Sequence, residues 1–527
     1  MTSEAELHVL PRSFHPPRVE NARDKVRTIE ELAAIADHHR KAGMSVVQAH
    51  GSFDLLHLGH VRHLEAARRL GDVLVVTVTA DRFVNKGPGR PVFNEALRAE
   101  MLAALEYVDW VAINPSPDAV GAITTIRPEV YVKGQDYQNP AGDVTGKITA
   151  ERDAAEGHGG RLAFTDEATF SSSELINRHL NVFEPHIREH LSSLRSDGGL
   201  SEILALLDRV RDYRVVLVGD AIIDEYQYVF PIGKSPKENI IATRYQDHEL
   251  FAGGVFAAAN HVASFCAEVD VITSLGARQS FEDLVRGHLA PNVRLHNVMR
   301  PGAPTTRKRR FVDPSYMRKL FEVYYIDDDP MPAELQQRID DRIADLVGDA
   351  DVVIATDFGH GLLGPSSIDL LTRKAPFLAV NCQSNSANLG FNLITKFPRA
   401  DYVCIDAPEA RLATSDRTSP IGEIAHRMES LISCSKMIIT QGKHGCVTYE
   451  GGGVVHTIPA LAKNVVDTVG AGDAFLSVTS PLVAAGGPMH QIGFIGNVVG
   501  ALKVEIVGHR RSIEKPDLVK AITGLLK

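Results

Sequence analysis

The sequence predicts two α/β domains joined in one chain. Its 527 residues exceed what one hydrophobic core usually organises, so more than one domain is expected. Runs of β-branched residues, typical of buried parallel strands, alternate with helical patterns in both halves of the chain. A mostly polar helical stretch at residues 174–212 separates the two patterns. We therefore expect an N-terminal extension with a leading helix over 1–40, a first domain over 41–180, a helical linker over 181–212 and a second domain over 213–527.

The composition narrows the class of protein. With 44% hydrophobic and 23% charged residues, the chain resembles an ordinary soluble α/β protein. Its net charge of −10 disfavours broad capture of nucleic acid, so we expect no nucleic-acid partner. No apolar run reaches the roughly 18 to 20 residues of a membrane span, and we expect a cytoplasmic protein with no membrane association. The five cysteines are odd in number and lack a CxxC pair, which predicts reduced thiols rather than disulfides or a zinc site.

Helices and strands follow one another in a regular order in the first domain. The pattern at residues 26–42 predicts an amphipathic helix that Gly43 ends, and the strand SVVQAH follows. The continuous run DVLVVTVTA at 72–80 predicts a strand buried in a parallel sheet. Further on, the pattern predicts a helix over 97–107 and strands over 109–115 and 130–134.

The second domain opens with the buried strand RVVLVGD at 214–220 and continues for about three hundred residues, a normal size for one large α/β domain. In open α/β sheets the ligand binds where loops leave the carboxyl ends of the strands. We therefore expect functional residues just after each strand. The later strands are predicted at 351–357, 377–381, 402–406 and 436–442.

The first chemical motif is the segment HGSFDLLHLGHVRHLEAA at residues 50–67. His57 and His60 stand three positions apart at the start of a predicted helix and point the same way, and Gly59 between them allows a close backbone approach. The helix N-terminus adds positive potential, so the segment suits the binding of a triphosphate. A pair of zinc-binding or ordinary surface histidines would have the same spacing, and the motif alone leaves that alternative open.

The context of this motif resembles the nucleotidyltransferase superfamily and, more closely, the transferase half of the bifunctional heptose kinase/adenylyltransferases. The resemblance extends over residues 26–180. It is based on four motifs in the same order: FDLLHLGHVRHLEAA, NKGPGRPVFNEALRAEMLAAL, RPEVYVKGQDY and FSSSELI. It implies a Rossmann-like fold of the HxGH type.

The resemblance also implies roles for single residues. His57 and His60 would bind the triphosphate and stabilise the transition state, while Lys86 would approach the phosphates from a loop. An ordinary helix cap is the alternative role of the three serines at 171–173. Departures at His50 and Gln135 leave the choice between ATP and CTP open. The nucleotide-binding positions implied are Gly51, Phe53, Asp54, Gly59, Lys133, Asp136, Ser171, Ser172 and Ser173.

The second chemical motif is DTVGAGDAF at residues 467–475. The turn formed by Gly470, Ala471 and Gly472 opens a helix and presents successive backbone N–H groups to an anion. Asp473, held at that turn, can take the proton from a hydroxyl that attacks the γ-phosphate of ATP. The alternative is an aspartate that merely caps a helix after a glycine turn.

Four further features accompany this turn: GDAIIDEY at 219–226, the Gly253-Gly254 pair before an Ala-rich helix, TQGKHG at 440–445 and FIGNVVGALKVEIVG at 494–508. Together they make residues 213–527 resemble the ribokinase (PfkB) family, whose fold is an α/β domain with a small β-lid. The resemblance implies that Asp220 and Asp224 approach sugar hydroxyls and that Gly253 and Gly254 line the sugar site. It further implies a monovalent cation near Asp467. Positions implied near ATP are Thr440, Gly442, Gly445, Asn497, Asp406 and Glu409.

The second half departs from its family more than the first. Ala257 stands where a sugar-contacting Asn is usual, and His360 lies in the segment that corresponds to the DYGKG motif. Asn381-Cys382-Gln383 replaces an Asp-Pro-Lys segment, and Asp406 replaces the Asn of an NxxE motif. The catalytic turn is retained while the substrate-binding residues differ.

Together the two motifs predict a bifunctional transferase of carbohydrate metabolism that uses ATP and Mg²⁺. The kinase domain would phosphorylate a sugar phosphate, by resemblance a heptose phosphate, and the other domain would make a nucleotide-activated sugar such as ADP-heptose with release of pyrophosphate. The alternatives are a CTP-dependent transferase for another sugar or polyol phosphate, and a kinase half that only binds sugar in a regulatory role. We expect small-molecule partners alone, and a homodimer paired through the lid that residues 225–252 predict.

Overall fold

The computed structural model describes residues 21–135, 147–165, 183–196, 198–327 and 329–527. These residues form two compact units. The first contains the described residues up to Asn85 and from Arg90 to Thr165, and the second contains Lys86–Gly89 and Phe183–Lys527. None of the helices in these ranges combines the length and the hydropathy that crossing a membrane requires.

The first unit is built on a six-stranded parallel sheet. Its strands are β1 (Val26–Arg27), β2 (Val46–Gly51), β3 (Val73–Thr79), β4 (Trp110–Asn114), β5 (Val130–Gly134) and β6 (Arg161–Thr165). Their order in the sheet is β1-β4-β3-β2-β5-β6, and every pair is parallel. The chain reverses its direction of travel across the sheet beside β2, which places a ligand crevice at the carboxyl end of that strand.

Five α-helices pack on this sheet in the part of the first unit that the structure describes. Thr28 forms a capping box with Glu31 at the start of the first helix, and Asn94 caps the third through the N–H of Leu97. Because Asn94 fixes its start, the third helix begins before the predicted residue 97, and it ends at Ala103. The helices are Ile29–Lys41, Leu58–Arg68, Glu95–Ala103, Val120–Ile126 and Lys147–Glu156.

The second unit contains a nine-stranded sheet. Its strands are β7 (Arg214–Gly219), β10 (Glu268–Arg278), β11 (Val293–Pro304), β14 (Val352–Asp357), β15 (Leu378–Cys382), β16 (Tyr402–Asp406), β17 (Lys436–Thr440), β18 (Cys446–Glu450) and β19 (Val454–Ile458). Their order is β11-β10-β7-β14-β15-β16-β17-β18-β19, parallel as far as β17 and antiparallel beyond it. Two hydrophobic clusters, one against each face of this sheet, form the core.

A separate four-stranded sheet forms the lid that the sequence predicted. Its strands are β8 (Ala221–Lys234), β9 (Ile241–Gly254), β12 (Arg307–Asp313) and β13 (Arg318–Tyr325), in the order β13-β12-β8-β9. The sequence indicated only the part formed by β8 and β9. The sequence analysis did not predict β12 and β13, because their TRKRR and RKLFE stretches are rich in charged residues and lack the apolar runs typical of buried strands.

Eleven helices of the second unit cover its large sheet or cap the strand ends in the described residues. They are Pro185–Ser196, Gly199–Arg209, Val255–Ala263, Glu282–His288, Ala333–Leu346, Pro365–Lys374, Ala407–Thr414, Ile421–Leu431, Ala471–Ala484, Met489–Lys503 and Lys515–Leu526.

The first two of these helices fall in the stretch where we expected a linker. Their apolar side chains are buried in the same cluster as the sheet, with Leu191, Leu194, Ile203 and Leu207 all less than 5% exposed. Both helices therefore pack as part of the second unit.

All five cysteines lie in the second unit, and each is buried and free. Burial raises the pKa of Cys266, Cys404 and Cys434 to about 12. It also raises the pKa values of Cys382 and Cys446 well above the ordinary thiol range. These thiols are therefore protonated and behave as small apolar core residues.

Candidate active sites

The two histidines of the first motif lie side by side at a helix N-terminus. His57 is the N-cap of the helix Leu58–Arg68, and its Nδ1 accepts a hydrogen bond of 3.1 Å from the N–H of Gly59. The rings of His57 and His60 stack with their centroids 3.9 Å apart, and Phe53 meets His60 edge-on. The pair thus follows the end of β2, where the sheet topology places the crevice, and it adds ring nitrogens to the positive end of a helix.

The loop between β2 and this helix is shaped by its residues. Phe53 has a left-handed backbone with φ of +46°. A Cβ added to Gly51 would meet the Phe53 ring at 3.1 Å, so glycine leaves room for this turn. The carboxylate of Asp54 is fully buried, pairs with Arg90 at 3.0 Å and accepts the N–H of Val92 at 2.6 Å. Asp54 therefore secures the loop instead of facing a ligand directly.

A buried arginine that the sequence interpretation missed supports the same loop. Arg98 has no exposed surface and donates to the carbonyl of Thr79 at 2.8 Å and to Asp81 at 2.6 Å. It also donates to the carbonyls of Ser52 and Phe93. The signal was present, because an arginine stands in the otherwise apolar face of the helix Glu95–Ala103.

Lys133, predicted to approach the nucleotide, lies at the end of β5 in a buried ion pair. Its Nζ is 3.0 Å from Oε2 of Glu151, which also accepts from the hydroxyl of Tyr131 at 2.9 Å. Burial, reinforced by the Lys133 charge, lowers the pKa of His50 to about 3 and that of His63 to about 4. Both imidazoles are therefore neutral near pH 7.

The other predicted residues of the transferase motif are placed as follows. Lys86 belongs to the short segment Lys86–Gly89, which groups with the second unit. Asp136 and the serines Ser171, Ser172 and Ser173 lie outside the described residues.

The glycine turn of the second motif has the geometry that the sequence predicted. Gly470 has a φ of +75° and is the N-cap of the helix Ala471–Ala484, so Ala471 and Gly472 form its first turn. Asp473 follows in the same turn and is 7% exposed. Burial raises the pKa of Asp473, against the effect of the nearby His509 charge. A buried carboxylate with a raised pKa at an anion-binding turn suits a general base.

Asp224 is held close to this turn by an arginine and a histidine. Arg310 of the lid forms an ion pair with Oδ1, and Nε2 of His509 lies 3.2 Å from Oδ2. Burial acts to raise the pKa of Asp224, but these two partners outweigh it and the pKa lies well below the ordinary range. A Cβ on Gly253 would come within 2.0 Å of Oδ2, so glycine at 253 leaves the space that this carboxylate occupies.

Asp220, predicted to meet sugar hydroxyls, binds a loop of its own domain. Its carboxylate accepts the backbone N–H groups of Phe358 (3.0 Å), His360 (3.2 Å) and Leu362 (3.1 Å). Gly254 has a φ of +55°, and a Cβ there would meet the Asp220 carbonyl oxygen at 2.8 Å. The pocket beside them is lined by polar and cationic side chains, among them Ser274, Arg300, Thr305 and His360.

The residues predicted near ATP follow β16 and β17. Thr440 ends β17, and the glycines at 442 and 445 both have a positive φ. A Cβ on Gly445 would meet the Ile458 carbonyl oxygen at 2.0 Å. Asn497 donates to the carbonyls of Ile458 at 3.1 Å and Pro459 at 3.0 Å, so it anchors the end of β19.

Asp406 and Glu409 form a capping box at the start of the helix Ala407–Thr414. Burial and the charge of Asp406 raise the pKa of Glu409 to about 8, and burial raises that of Asp406 as well. Oδ1 of Asp406 accepts the N–H of Glu409, and the two oxygens of Glu409 accept the N–H groups of Ser384 and Asp406, so these partners of the pair are neutral backbone groups and not cations. Carboxylate oxygens are the hard donors that Mg²⁺ prefers, and this donor set suits an Mg²⁺ ion. No cluster of three or more metal-binding side chains occurs within the ranges that the structure describes.

The oxygens around Asp467 do not fit a monovalent cation. Its carboxylate already accepts from Nζ of Lys319 at 2.8 Å, from the hydroxyl of Tyr226 at 2.5 Å and from the N–H of Gly508 at 2.8 Å. Burial acts to raise the pKa of Asp467, but the bonds from Lys319 and Tyr226 hold it below its ordinary value. The ammonium of Lys319 therefore takes the position expected of a cation.

The chain was compared with protein-family models, curated proteins and solved structures. Residues 213–516 match the model of the pfkB family carbohydrate kinases, and residues 49–178 match a cytidylyltransferase-like model. The predicted order of the two domains is therefore confirmed.

Among curated proteins, the N-terminal part of the chain is similar to the bifunctional protein HldE of several bacteria. The protein of Syntrophotalea carbinolica is 38% identical over 163 residues, 30% of this chain and 32% of the relative. That of Trichlorobacter lovleyi is 41% identical over 140 residues, 26% of this chain and 27% of the relative. The match thus spans about a third of the length of these relatives.

Solved structures resemble the second unit at low identity. Arabidopsis thaliana ribokinase complexed with ribose and ATP is 17% identical with a TM-score of 0.46, over 60% of this chain and 99% of that one. Phosphofructokinase-2 from Escherichia coli, in complex with substrates and products, is 13% identical with a TM-score of 0.49, over 60% of this chain and 100% of that one. The family match over residues 213–516 covers more than half of the chain. The chain therefore belongs to the pfkB family of carbohydrate kinases, and it carries a cytidylyltransferase-like domain ahead of the kinase domain.

Proposed function

We propose that the chain is a bifunctional enzyme that phosphorylates a sugar phosphate at its anomeric hydroxyl and joins a sugar 1-phosphate to a nucleotide. The second unit would transfer a phosphoryl group from ATP to the anomeric hydroxyl of a heptose phosphate. That product carries two phosphates, so a separate phosphatase would have to hydrolyse the original one, and the first unit would then join the heptose 1-phosphate to AMP from ATP, giving ADP-heptose and pyrophosphate. The observation that supports this most is the Asp473 carboxylate, buried at an intact glycine turn.

In the kinase step Asp473 accepts the proton of the sugar hydroxyl. The hydroxyl oxygen attacks the γ-phosphorus, the bond from that phosphorus to the β,γ-bridging oxygen breaks, and ADP leaves. Backbone N–H groups of the turn formed by Gly470, Ala471 and Gly472 would face the phosphate oxygens and stabilise the charge that develops there, although that of Ala471 also donates to the carbonyl of Thr468 at 3.3 Å. ATP carries Mg²⁺, which Asp406 and Glu409 would hold and which would offset the phosphate charge.

The cations of the kinase site support a substrate that is itself anionic. Lys308 is 7% exposed on the lid strand β12, and the charges of Asp224 and Asp473 both act on its pKa. Arg310 pairs with Asp224, and Arg300 lines the pocket beside Asp220. A phosphate on the sugar would accept charge-assisted hydrogen bonds from these positive groups in addition to their carboxylate partners, such as Asp327, which pairs with Arg300 at 3.1 Å.

In the transferase step a phosphate oxygen of the sugar 1-phosphate attacks the α-phosphorus of the nucleotide. The bond from the α-phosphorus to the α,β-bridging oxygen breaks and pyrophosphate leaves, so no covalent intermediate with the protein is needed. His57 and His60 would hold the phosphates and stabilise the charge of the transition state. Lys86, Asp136 and the serines at 171–173 would add contacts to the same phosphates and to the nucleotide.

CTP is the second candidate for the nucleotide. The family model that matches residues 49–178 is described as cytidylyltransferase-like, which favours this alternative. The kinase step would be unchanged, and the product would be a CDP-activated sugar or polyol.

The lid supports a homodimer. Its strands β8 and β9 expose large apolar side chains, among them Phe230 (45%), Ile232 (67%), Ile241 (65%) and Tyr245 (56%). Several exposed apolar side chains on two paired strands are typical of a protein interface. Sedimentation of the wild-type chain and of Ile232→Glu tests the proposal, which requires a dimer for the first and a shift to monomer for the second.

Product analysis tests the proposed function. The full chain is incubated with ATP or CTP, Mg²⁺ and a panel of heptose, hexose and pentose phosphates, and products are identified by mass. The panel includes sugar 1-phosphates, which the transferase can use directly. Asp473→Asn should then remove the kinase product alone, and His57→Ala should remove the nucleotide-sugar alone. A sugar joined to AMP supports the main proposal, and a sugar joined to CMP supports the second candidate. If no incubation yields a newly phosphorylated sugar, the kinase assignment is wrong.

A further inference from the structure

A lysine with no exposed surface lies beside the kinase turn. Lys503 is the last residue of the helix Met489–Lys503, and its relative exposure is 0%. Its Nζ donates to the carbonyl oxygen of Val469 at 2.8 Å and to that of Gly508 at 2.7 Å. Val469 directly precedes the glycine turn, and Gly508 directly precedes His509. One ammonium therefore joins the two loops that border the site.

The surroundings of Lys503 explain why a buried charge is tolerated. Burial lowers the pKa of Lys503 to about 8, while the charges of Asp467, Asp473 and Asp224 act to raise it. An isolated buried ammonium would cost several kcal/mol, so it persists only where oxygens and opposite charges compensate it. The C-terminus of its own helix adds negative potential.

The bonds around Lys503 form a continuous network that reaches two functional carboxylates. Gly508 accepts from Lys503 through its carbonyl oxygen and donates through its N–H to Asp467 at 2.8 Å. The next residue, His509, contacts Asp224 at 3.2 Å. A Cβ on Gly470 would lie 2.5 Å from the His509 ring, so the turn and this loop are in close contact.

We propose that the Lys503 ammonium is a built-in cation of the kinase site, which binds the loop carbonyls that a free monovalent cation would otherwise have to bind. Lys319 completes the arrangement by neutralising Asp467 from the lid. Lys503 is a positioning residue, because it contacts two backbone carbonyls and no reacting atom. The proposal rests on the proposed kinase function for its significance, and it predicts that the turn is ordered without added K⁺.

The test compares the full-length wild type with Lys503→Met, which removes the charge but retains most of the side-chain volume. Lys515→Met is the matched control, since Lys515 pairs with Asp208 and is partly exposed. Each protein is measured in KCl and in choline chloride at equal ionic strength. The readouts are the unfolding temperature without substrate and the affinity for a non-hydrolysable ATP analogue by calorimetry.

We expect the wild type and Lys515→Met to give equal values in the two salts. Lys503→Met should bind the analogue about tenfold more weakly in choline chloride, the effect of losing a charged hydrogen-bonding partner, and should regain affinity and unfolding temperature specifically in KCl. If Lys503→Met does not fold, the wild type alone still tests the proposal, because its unfolding temperature and its affinity for the analogue should be the same in the two salts.

Two results would overturn the proposal: a wild-type protein that gains affinity or unfolding temperature specifically from K⁺, or a folded Lys503→Met variant that binds the analogue as tightly as the wild type. Failure of the proposed function would look different. In that case no sugar is phosphorylated, while the unfolding temperature of the wild type is the same in the two salts and that of Lys503→Met still responds to K⁺.

Discussion

The side-chain amide of Gln383 donates a hydrogen bond of 2.8 Å to Oδ1 of Asp473. Gln383 directly follows β15, and Asp473 stands in the first turn of the helix Ala471–Ala484, so the bond joins the edge of the sheet to the glycine turn. It fixes the orientation of the carboxylate that we propose as the general base. The lysine usual in the related segment is replaced here by a neutral donor, which leaves the carboxylate without a directly bonded cation from residue 383.

Replacing Asp473 with Asn should lower kinase turnover far more than ATP affinity. The change retains the size of the side chain and removes the proton acceptor, and loss of a general base typically costs about a hundred- to ten-thousand-fold. Affinity for ATP should stay within about threefold of wild type, because the backbone N–H groups of the turn are unchanged. Steady-state kinetics and calorimetry measure the two quantities. Turnover close to wild type would rule out Asp473 as the base.

Replacing Gly253 with Ala should displace the Asp224 carboxylate. The added Cβ would stand 2.0 Å from Oδ2, well inside any van der Waals distance, so the carboxylate must move away from His509. We expect the KM for the sugar to rise about tenfold or more, the effect of losing one charged hydrogen bond, with a smaller change in the KM for ATP. Gly287→Ala is the matched control, since nothing lies within 4 Å of a Cβ there. An unchanged sugar KM in Gly253→Ala would remove Asp224 from the sugar site.

Replacing His57 with Ala should abolish pyrophosphate release and leave the kinase reaction within a few-fold of wild type. His57 both caps the helix Leu58–Arg68 and stacks on His60, so its loss affects the phosphate site from two directions. Loss of one stabilising group of a transition state costs about a hundred- to a thousand-fold. His38→Ala is the control, because His38 is an exposed histidine of the same unit. A pyrophosphate-release assay decides, and activity near wild type in His57→Ala would contradict the assignment.

The free energy of unfolding of the first unit should fall as the pH drops from 6.5 towards 3, partly because the unfolded chain binds a proton at His50. Its pKa is lowered from 6.5 to about 3, so the unfolded chain binds the proton more readily than the folded one. The stability is therefore present above pH 6.5 and is lost as the pH falls towards the folded value. At pH 5 this loss is about 2 kcal/mol for His50.

In the variant His50→Asn, the free energy of unfolding of the first unit should fall by about 2 kcal/mol less than in the wild type between pH 7.5 and pH 5. Urea titrations at pH 7.5 and pH 5 measure it, with the fluorescence of Trp110, the only tryptophan of the chain, as the signal from the first unit. His63, whose pKa is lowered to about 4, should retain its own contribution in this variant. Equal losses of stability in the variant and the wild type would mean that His50 is not held neutral in the folded protein.

Local patterns predicted most of the sheets. Strands such as β3 and β7 are continuous apolar runs, and a run of that kind has few alternatives to a buried parallel strand. The helix start at 470–473 was equally predictable, because its backbone demands glycine and the motif that carries it is local, DTVGAGDAF at 467–475. The sequence analysis assigned the helices at 185–209 to a linker because most of their residues are polar. Each helix also has one row of apolar side chains, and only the structure shows that these rows pack into the core of the second unit.

The side chains that complete the kinase site could not be predicted from the sequence. Arg310 and Lys319 come from lid strands, and Lys503 comes from the end of a helix, so each meets its partner across a long stretch of chain. Nothing in the neighbouring sequence marks these residues as functional, since a lysine at a helix end is ordinarily exposed to solvent. Asp220 shows the reverse case, where a conspicuous motif residue is used to hold the loop at 358–362.

The distribution of the buried thiols gives the protein an internal reporter of unfolding. All five lie in the second unit, from Cys266 to Cys446, and the first unit has none. Because each thiol is buried and protonated, an alkylating reagent can react only when the surrounding core opens. The rate of labelling therefore measures the opening of the kinase core alone, while Trp110 follows the other unit, and one unmodified sample can reveal whether substrate of one domain changes the stability of the other.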